Sequence, residues 1–167
     1  RHGDHLVFPV VDDLATLTWL VNLASLELHV HQWRVGLDGE PTNPDRLVIE
    51  IVEHSPPLDV PGFRRALAEL REAGLTIALD DVGLGQSNYK MILDVRPEIY
   101  KLDRYLVSGA WADPYRQVIL DSLARMVRRL EARAVAEGVE AHHALVAVEA
   151  AGIDLVQGFM LARPLAR

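Results

Sequence analysis

The sequence predicts an α/β fold. The expected form is a partial (β/α) barrel-like parallel sheet of five β/α strands, with an N-terminal strand–helix–strand unit completing it. Three observations predict this. From Leu47 onward, short apolar runs alternate with amphipathic helical runs, as in parallel β/α units. Acidic residues recur at the ends of those apolar runs. Ahead of Leu47 the order of elements is different. The 167 residues fall short of the about 200–250 that a closed eight-strand barrel uses, so an open or distorted sheet is expected.

The elements follow in order. "HLVFPVV" (5–11) suits a strand, with Pro9 favouring an edge or bulge. Residues 12–26 place Leu14, Leu17, Leu20 and Val21 on one helical face behind Asp12 or Asp13 as N-cap. "ELHVHQWRV" (27–35) alternates as a strand does, and "GLDGEPTNPD" (36–45) is turn chemistry. A strand "RLVIEIVE" (46–53) closes that hairpin and opens the β/α part. Helices are expected over 62–74, closed by Gly74, over 114–132, opened by Pro114, and over 142–152. Strands are expected over 75–81, 98–103, 133–140 and 154–161. One domain is expected over 1–167, with segments 1–46 and 47–167.

Composition removes several classes of function. There is no cysteine, which excludes disulfides, thiolate metal sites and cysteine nucleophiles. The net charge of −7 opposes binding to a nucleic-acid polymer. Arg125, Arg128, Arg129 and Arg133 have the spacing of a solvated helix face. No apolar run reaches the roughly 20 residues of a membrane span, and a cytoplasmic location is the default expectation. The first residue is not Met, which suits an excised or engineered segment. No nucleophile-elbow serine or P-loop is present. His29 and His31 share one strand face and read as a packed or surface pair. His142 and His143 read as surface residues, and Trp19, Trp33 and Trp111 as core or interface anchors.

In parallel β/α folds the functional site lies at the carboxyl ends of the strands. Those ends carry Glu50 and Glu53, Asp80 and Asp81, Lys101 and Asp103, Glu137 and Glu140, and Gln157. Carboxylates crowded together repel one another, and a divalent cation offsets the repulsion. Oxygen donors of this kind suit Mg²⁺ or Mn²⁺. Spacing alone leaves the alternative open that these acids cap the helices that follow them.

Five ordered motifs narrow the choice: "LVIEIVE", "IALDDVGLGQSN", "RPEIYKLDR", "AVAEGVEAHHAL" and "GIDLVQGFMLARPL". Together, over about 47–165, they resemble the EAL domain family, bacterial phosphodiesterases of cyclic di-GMP built on a (β/α)₈ barrel. The resemblance implies a two-metal hydrolysis, with Mg or Mn as cofactor, that opens cyclic di-GMP to the linear dinucleotide. It implies that Glu50, Asp80, Asp81 and Glu137 bind metal and that Lys101 attends the attacking water. Glu140 and Gln157 correspond to supporting or ligand-contacting residues, Glu140 close to the catalytic group and Gln157 to the ligand. Glu53 corresponds to the acid that anchors the loop after Asp81. The family's Glu-Ala-Leu triplet, whose Glu is a primary metal ligand, is absent, which implies weak hydrolysis or none. Asn22 in "WLVNLAS" resembles the family's Asn-bearing strand superficially, yet its neighbours have helical spacing.

The opening segment resembles a second family. "HLVFPV", "LATLTWLVNLASLELHVHQWRV" and "PDRLVI", over about 5–49, are similar to the primase-like polymerase domain of bacterial non-homologous end-joining DNA ligases. That family's Asp-x-Asp pair corresponds here to Glu50 and Val52, so polymerase activity is not expected. The two resemblances together imply a chimera, engineered, with its seam in "RLVIE". Two other functional readings stay open: a recombinant scaffold with no ligand, and a module that binds cyclic di-GMP without cutting it. Exposed strand edges are compatible with a homodimer.

Overall fold

The computed structural model describes residues 48–52, 60–72, 74–83 and 89–161. The elements in chain order are β1 (Val48–Val52), α1 (Val60–Glu72), β2 (Thr76–Val82), α2 (Tyr89–Val95), β3 (Ile99–Leu102), α3 (Arg104–Gly109), α4 (Pro114–Arg129), β4 (Arg133–Ala136), α5 (His142–Ala150) and β5 (Leu155–Val156). The five strands form one sheet in the order β1-β2-β3-β4-β5, parallel as expected, and the described strands leave it open. The N-terminal strand–helix–strand unit, the polymerase-like segment up to residue 47, the paired histidines at 29 and 31, Trp19 and Trp33 all lie outside the described residues.

The chain divides into two compact units: Arg1–Val48 with Pro56–Leu75, and Ile49–Ser55 with Thr76–Arg167. In the first, α1 is amphipathic and buries Phe63, Leu67 and Leu70. Its end is closed at Gly74, which has φ of 89° and donates to the Arg71 carbonyl. That conformation is easy only for glycine.

The second unit holds the sheet from Ile49 onward and the remaining helices. β3 is buried on every residue, with Ile99 and Leu102 fully enclosed. Neighbouring strands are fixed by register: Leu79 pairs with Tyr100, Lys101 with Val135, and Leu102 with Ala136. α4 begins as the sequence predicts. Asp113 accepts from the Tyr115 N–H, Pro114 occupies the first turn, and Leu120, Ala124 and Val127 form the buried stripe. Arg125, Arg128, Arg129 and Arg133 are exposed. Gln117 of α4 donates from Nε2 to the Ala147 carbonyl of α5.

Several expected boundaries need correction. The strand expected over 133–140 ends at Ala136, and the one expected over 154–161 is only Leu155–Val156. Gly138 has φ of 66°, which breaks the extended path. At Gly158 the chain passes so close to the Val139 backbone that a side chain has no room. Two short helices, α2 and α3, were not expected. Trp111 is 55% exposed rather than a core anchor, and its ring lies 4.3 Å from that of His143. Both border a shallow groove of about 590 Å³ that includes none of the predicted site residues.

Asp103, one of the acids at strand ends, is a helix cap. Its carboxylate accepts from the Tyr105 N–H at 2.6 Å and starts α3, while its own N–H donates to Val82. Replacing a capping Asp by Ala typically costs about 1 kcal/mol. Asp103→Ala is therefore expected to lower the unfolding free energy measured in urea by about 1–2 kcal/mol, and Asp103→Asn, which also caps, to restore most of it.

Candidate metal and phosphodiester site

The site is built on the strand ends of the second unit. In β1, Ile49 and Ile51 are buried and Glu50 points to the opposite face, as strand alternation requires. Asp80 follows the Leu79–Tyr100 pair, and Lys101 follows it on the neighbouring strand, so the two sit at one level. Glu137 lies one residue beyond β4, and its N–H donates to the Leu102 carbonyl.

Two adjacent residues of a regular strand face opposite sides, which would separate Asp80 from Asp81. The backbone resolves this. Asp81 has φ of 59°, and the β2–β3 register slips between Leu79 and Val82. This irregularity re-aims a side chain as a bulge does, and Asp tolerates the left-handed region better than most residues. The Asp80 carboxylate accepts from the Asp81 N–H at 3.0 Å and braces the turn. Oxygens of Asp80, Asp81 and Glu137 consequently lie within 4.8 Å of one another.

Lys101 occupies the middle of this acidic group. Its Nζ is 2.8 Å from Glu137, 2.9 Å from Asp80 and 3.1 Å from Glu50, and its side chain is only 6% exposed. Burial alone would lower the lysine pKa. The hydrogen bonds to Glu137 and Asp80, with the charges of Glu50 and Asp80, outweigh burial and hold it above the ordinary lysine value. Glu137 moves the other way from a typical paired acid. Burial pushes its carboxyl up, Lys101 offsets part of the rise, and the negative charges of Asp80 and Glu50 add to it. Among the described residues, one ammonium thus faces three carboxylates, an excess of negative charge in a half-buried place. The oxygen-only donor set and the spread of its members fit a hard divalent cation such as Mg²⁺ or Mn²⁺.

The remaining predicted residues sit around this centre. Glu140 is at the rim, paired at 3.1 Å with Arg104. Gln157 follows β5 and is exposed, and its backbone bonds to Ala136 and Val139 fix its place. Glu53 and Asn22 lie outside the described residues, as do residues 84–88. Arg104 was not singled out in the sequence. Its signal was its place at the end of the motif "RPEIYKLDR", three residues after Lys101.

The comparisons with known proteins bear on this geometry. The sequence model of the EAL domain family matches residues 17–164. The chain belongs to the EAL domain family. Among curated relatives, it is 34% identical over 118 residues to the probable cyclic di-GMP phosphodiesterase PdeG of Escherichia coli, covering 71% of this chain and 23% of that protein. It is 29% identical over 120 residues to the probable cyclic di-GMP phosphodiesterase PdeD of the same organism, covering 72% and 22%. Among solved structures, the manganese and cyclic di-GMP complex of Klebsiella pneumoniae BlrP1 aligns with TM-score 0.66 and 34% identity, over 71% of this chain and 30% of that one. A standalone EAL protein from Vibrio cholerae O395, bound to cyclic di-GMP, aligns with TM-score 0.65 and 30% identity, over 70% and 49%. The chain therefore spans less than half the length of each of these proteins. The EAL match begins inside the segment read as foreign and includes Asn22. The chimera reading finds no support in these matches, and none of them tests it. Among the described residues, no helix is long and apolar enough to cross a membrane.

The Lys101 arrangement sets an expectation for stability against pH. Lys101 has a folded pKa above its unfolded value, so its contribution is present through neutral pH and is lost only as pH rises through that folded value. On the acid side the pairing weakens as Glu137, whose carboxyl is pushed up by burial, takes up its proton. Lys101→Met is expected to melt below the wild type at neutral pH, because it leaves half-buried carboxylates without their counter-ion. The gap is expected to narrow as pH is lowered into the carboxylate range, read by circular dichroism. Equal melting at neutral pH, or a gap indifferent to acid, would contradict this account of the site.

Proposed function

We propose that this chain carries the Lys101-centred part of a cyclic di-GMP phosphodiesterase site, with hydrolysis weak or absent in the chain alone. The observation that carries the proposal is the convergence of Glu50, Asp80 and Glu137 on the Lys101 ammonium, with Asp81 turned into the same group by its backbone. Asp80, Asp81, Glu137 and Glu50 are the residues that would hold Mg²⁺ or Mn²⁺. Such an ion supplies Lewis-acid activation of water and of a phosphoryl oxygen.

The chain's own residues supply the rest. Lys101 is held by three acids on three strands, so its ammonium needs little rearrangement to attend a water or a developing negative charge. The acids balance the lysine and leave net negative charge to attract a cation. Gln157 and Glu140, both exposed, are the residues that would meet a ligand entering over the strand ends. The Glu-Ala-Leu triplet does not occur within these 167 residues, and its Glu would be a further metal-ligating carboxylate. Metal position sets the geometry of attack, so the loss of one ligand is expected to reduce turnover far more than ligand binding.

Incubation with cyclic di-GMP and Mn²⁺ or Mg²⁺, followed by chromatography for the linear dinucleotide and by calorimetry, tests the proposal. Saturable, metal-dependent binding with slow turnover at most is expected. Asp80→Asn is expected to weaken Mn²⁺ binding by at least about tenfold, the low end of what loss of an outer-shell partner costs. Binding of neither Mn²⁺ nor cyclic di-GMP would overturn the proposal and favour a scaffold without a ligand. Binding without any product would favour a non-catalytic module on the same residues.

A further inference from the structure

We infer that Arg104 is a positioning residue that clamps the Glu137–Glu140 turn against the end of β3, and so fixes the Glu137 carboxylate beside Lys101. Two independent contacts carry this. The stem of Arg104 lies on Gly138: a β-carbon there would meet the Arg104 Cγ and would come within 2.8 Å of its Cβ. The guanidinium then reaches Glu140 at 3.1 Å. One side chain therefore covers the middle of the turn and ties down its far end.

The origin of the clamp is itself fixed. Arg104 follows Asp103, whose carboxylate caps α3 and whose N–H is bonded to Val82. Other restraints act on either side of Gly138: the Glu137 carboxylate pairs with Lys101, and the carbonyl of the buried Val139 accepts from the Met160 N–H. The Glu137 N–H donates to Leu102, and the Val139 N–H donates to Gln157. Gly138, with φ of 66° and no side chain, adds conformational freedom between them. An ion pair as exposed as Arg104–Glu140 contributes little energy alone, so its role is geometric. It holds the guanidinium where the stem covers Gly138. A cation in the first turn of a helix is opposed by the helix dipole, and Glu140 compensates for that.

The consequence for a cation rests on the function proposed above, and the clamp itself does not. Amide hydrogen exchange on the metal-free chain tests the clamp. Arg104→Met keeps the volume of the stem and loses the charge. It is expected to speed exchange at Glu137 and Val139 by about tenfold, as a local opening rather than a global one, with exchange in β3 unchanged. Arg104→Lys is expected to stay near the wild type. Unchanged exchange in Arg104→Met would overturn the inference. Should that variant fold poorly, Glu140→Gln probes the same pair from its other end. Faster exchange at Val139 supports the clamp, and no change overturns it.

Calorimetry with Mn²⁺ gives the second readout. Removing a positive charge near an acidic site strengthens cation binding if charge alone matters. The clamp predicts the opposite sign, with binding by Arg104→Met weakened several-fold. Binding equal to or tighter than the wild type would overturn Arg104's role toward Glu137. A wild-type chain that binds no Mn²⁺ would overturn the proposed function, while the exchange rates would still decide the clamp.

Discussion

The bonding of one buried ammonium to three carboxylates is the constraint on which the site depends. Lys101 carries one positive charge among Glu50, Asp80 and Glu137. Without it, three acids at neighbouring strand ends would repel, and they would take up protons or turn outward. With it, they are held within a few ångströms while the group keeps excess negative charge. The same arrangement stabilises the metal-free protein and prepares a place for a cation. The two roles conflict, because whatever binds the acids must share them with the lysine. Burial, with the charges of Asp80 and Glu50, pushes the Glu137 carboxyl up even beside the lysine.

The fold serves this arrangement by keeping the strand ends level. Parallel pairing aligns Lys101 with Val135 and sets Asp80 beside Lys101. Positions that break regularity do the rest. The left-handed Asp81 brings a second acid to the same side as Asp80. Gly138 lets the chain turn directly after Glu137, and Gly158 lets the next segment pass against Val139. These irregularities cluster where side chains must be aimed, while the buried β3 strand behind them is regular.

Much of this was legible in the sequence, for reasons that can be located. α4 was readable because its cap, its proline and its apolar stripe agree. The acids at strand ends were readable because apolar runs of strand length ended in them, and the five ordered motifs pointed to the EAL domain family. Helices α2 and α3 were missed because six or seven residues are too few to establish a period. The fourth and fifth strands were drawn too long because apolar residues continue past Ala136 and Val156, while the glycines that end them act through backbone angles and close approach. Asp103 could not be separated from the site acids by sequence, since a cap and a ligand look alike at a strand end. That Asp80 and Asp81 face the same way depends on a single φ angle, which no pattern of letters encodes.

The central claim is that these acids share one cation pocket with Lys101 at its edge. A crystal of this chain grown with Mn²⁺, measured at a wavelength where manganese scatters anomalously, tests it most directly. The account predicts an anomalous peak in contact with oxygens of Asp80, Asp81 and Glu137, with Lys101 still bonded to at least one of its acids. Carboxylates splayed into separate helix caps, with no manganese between them, would contradict it.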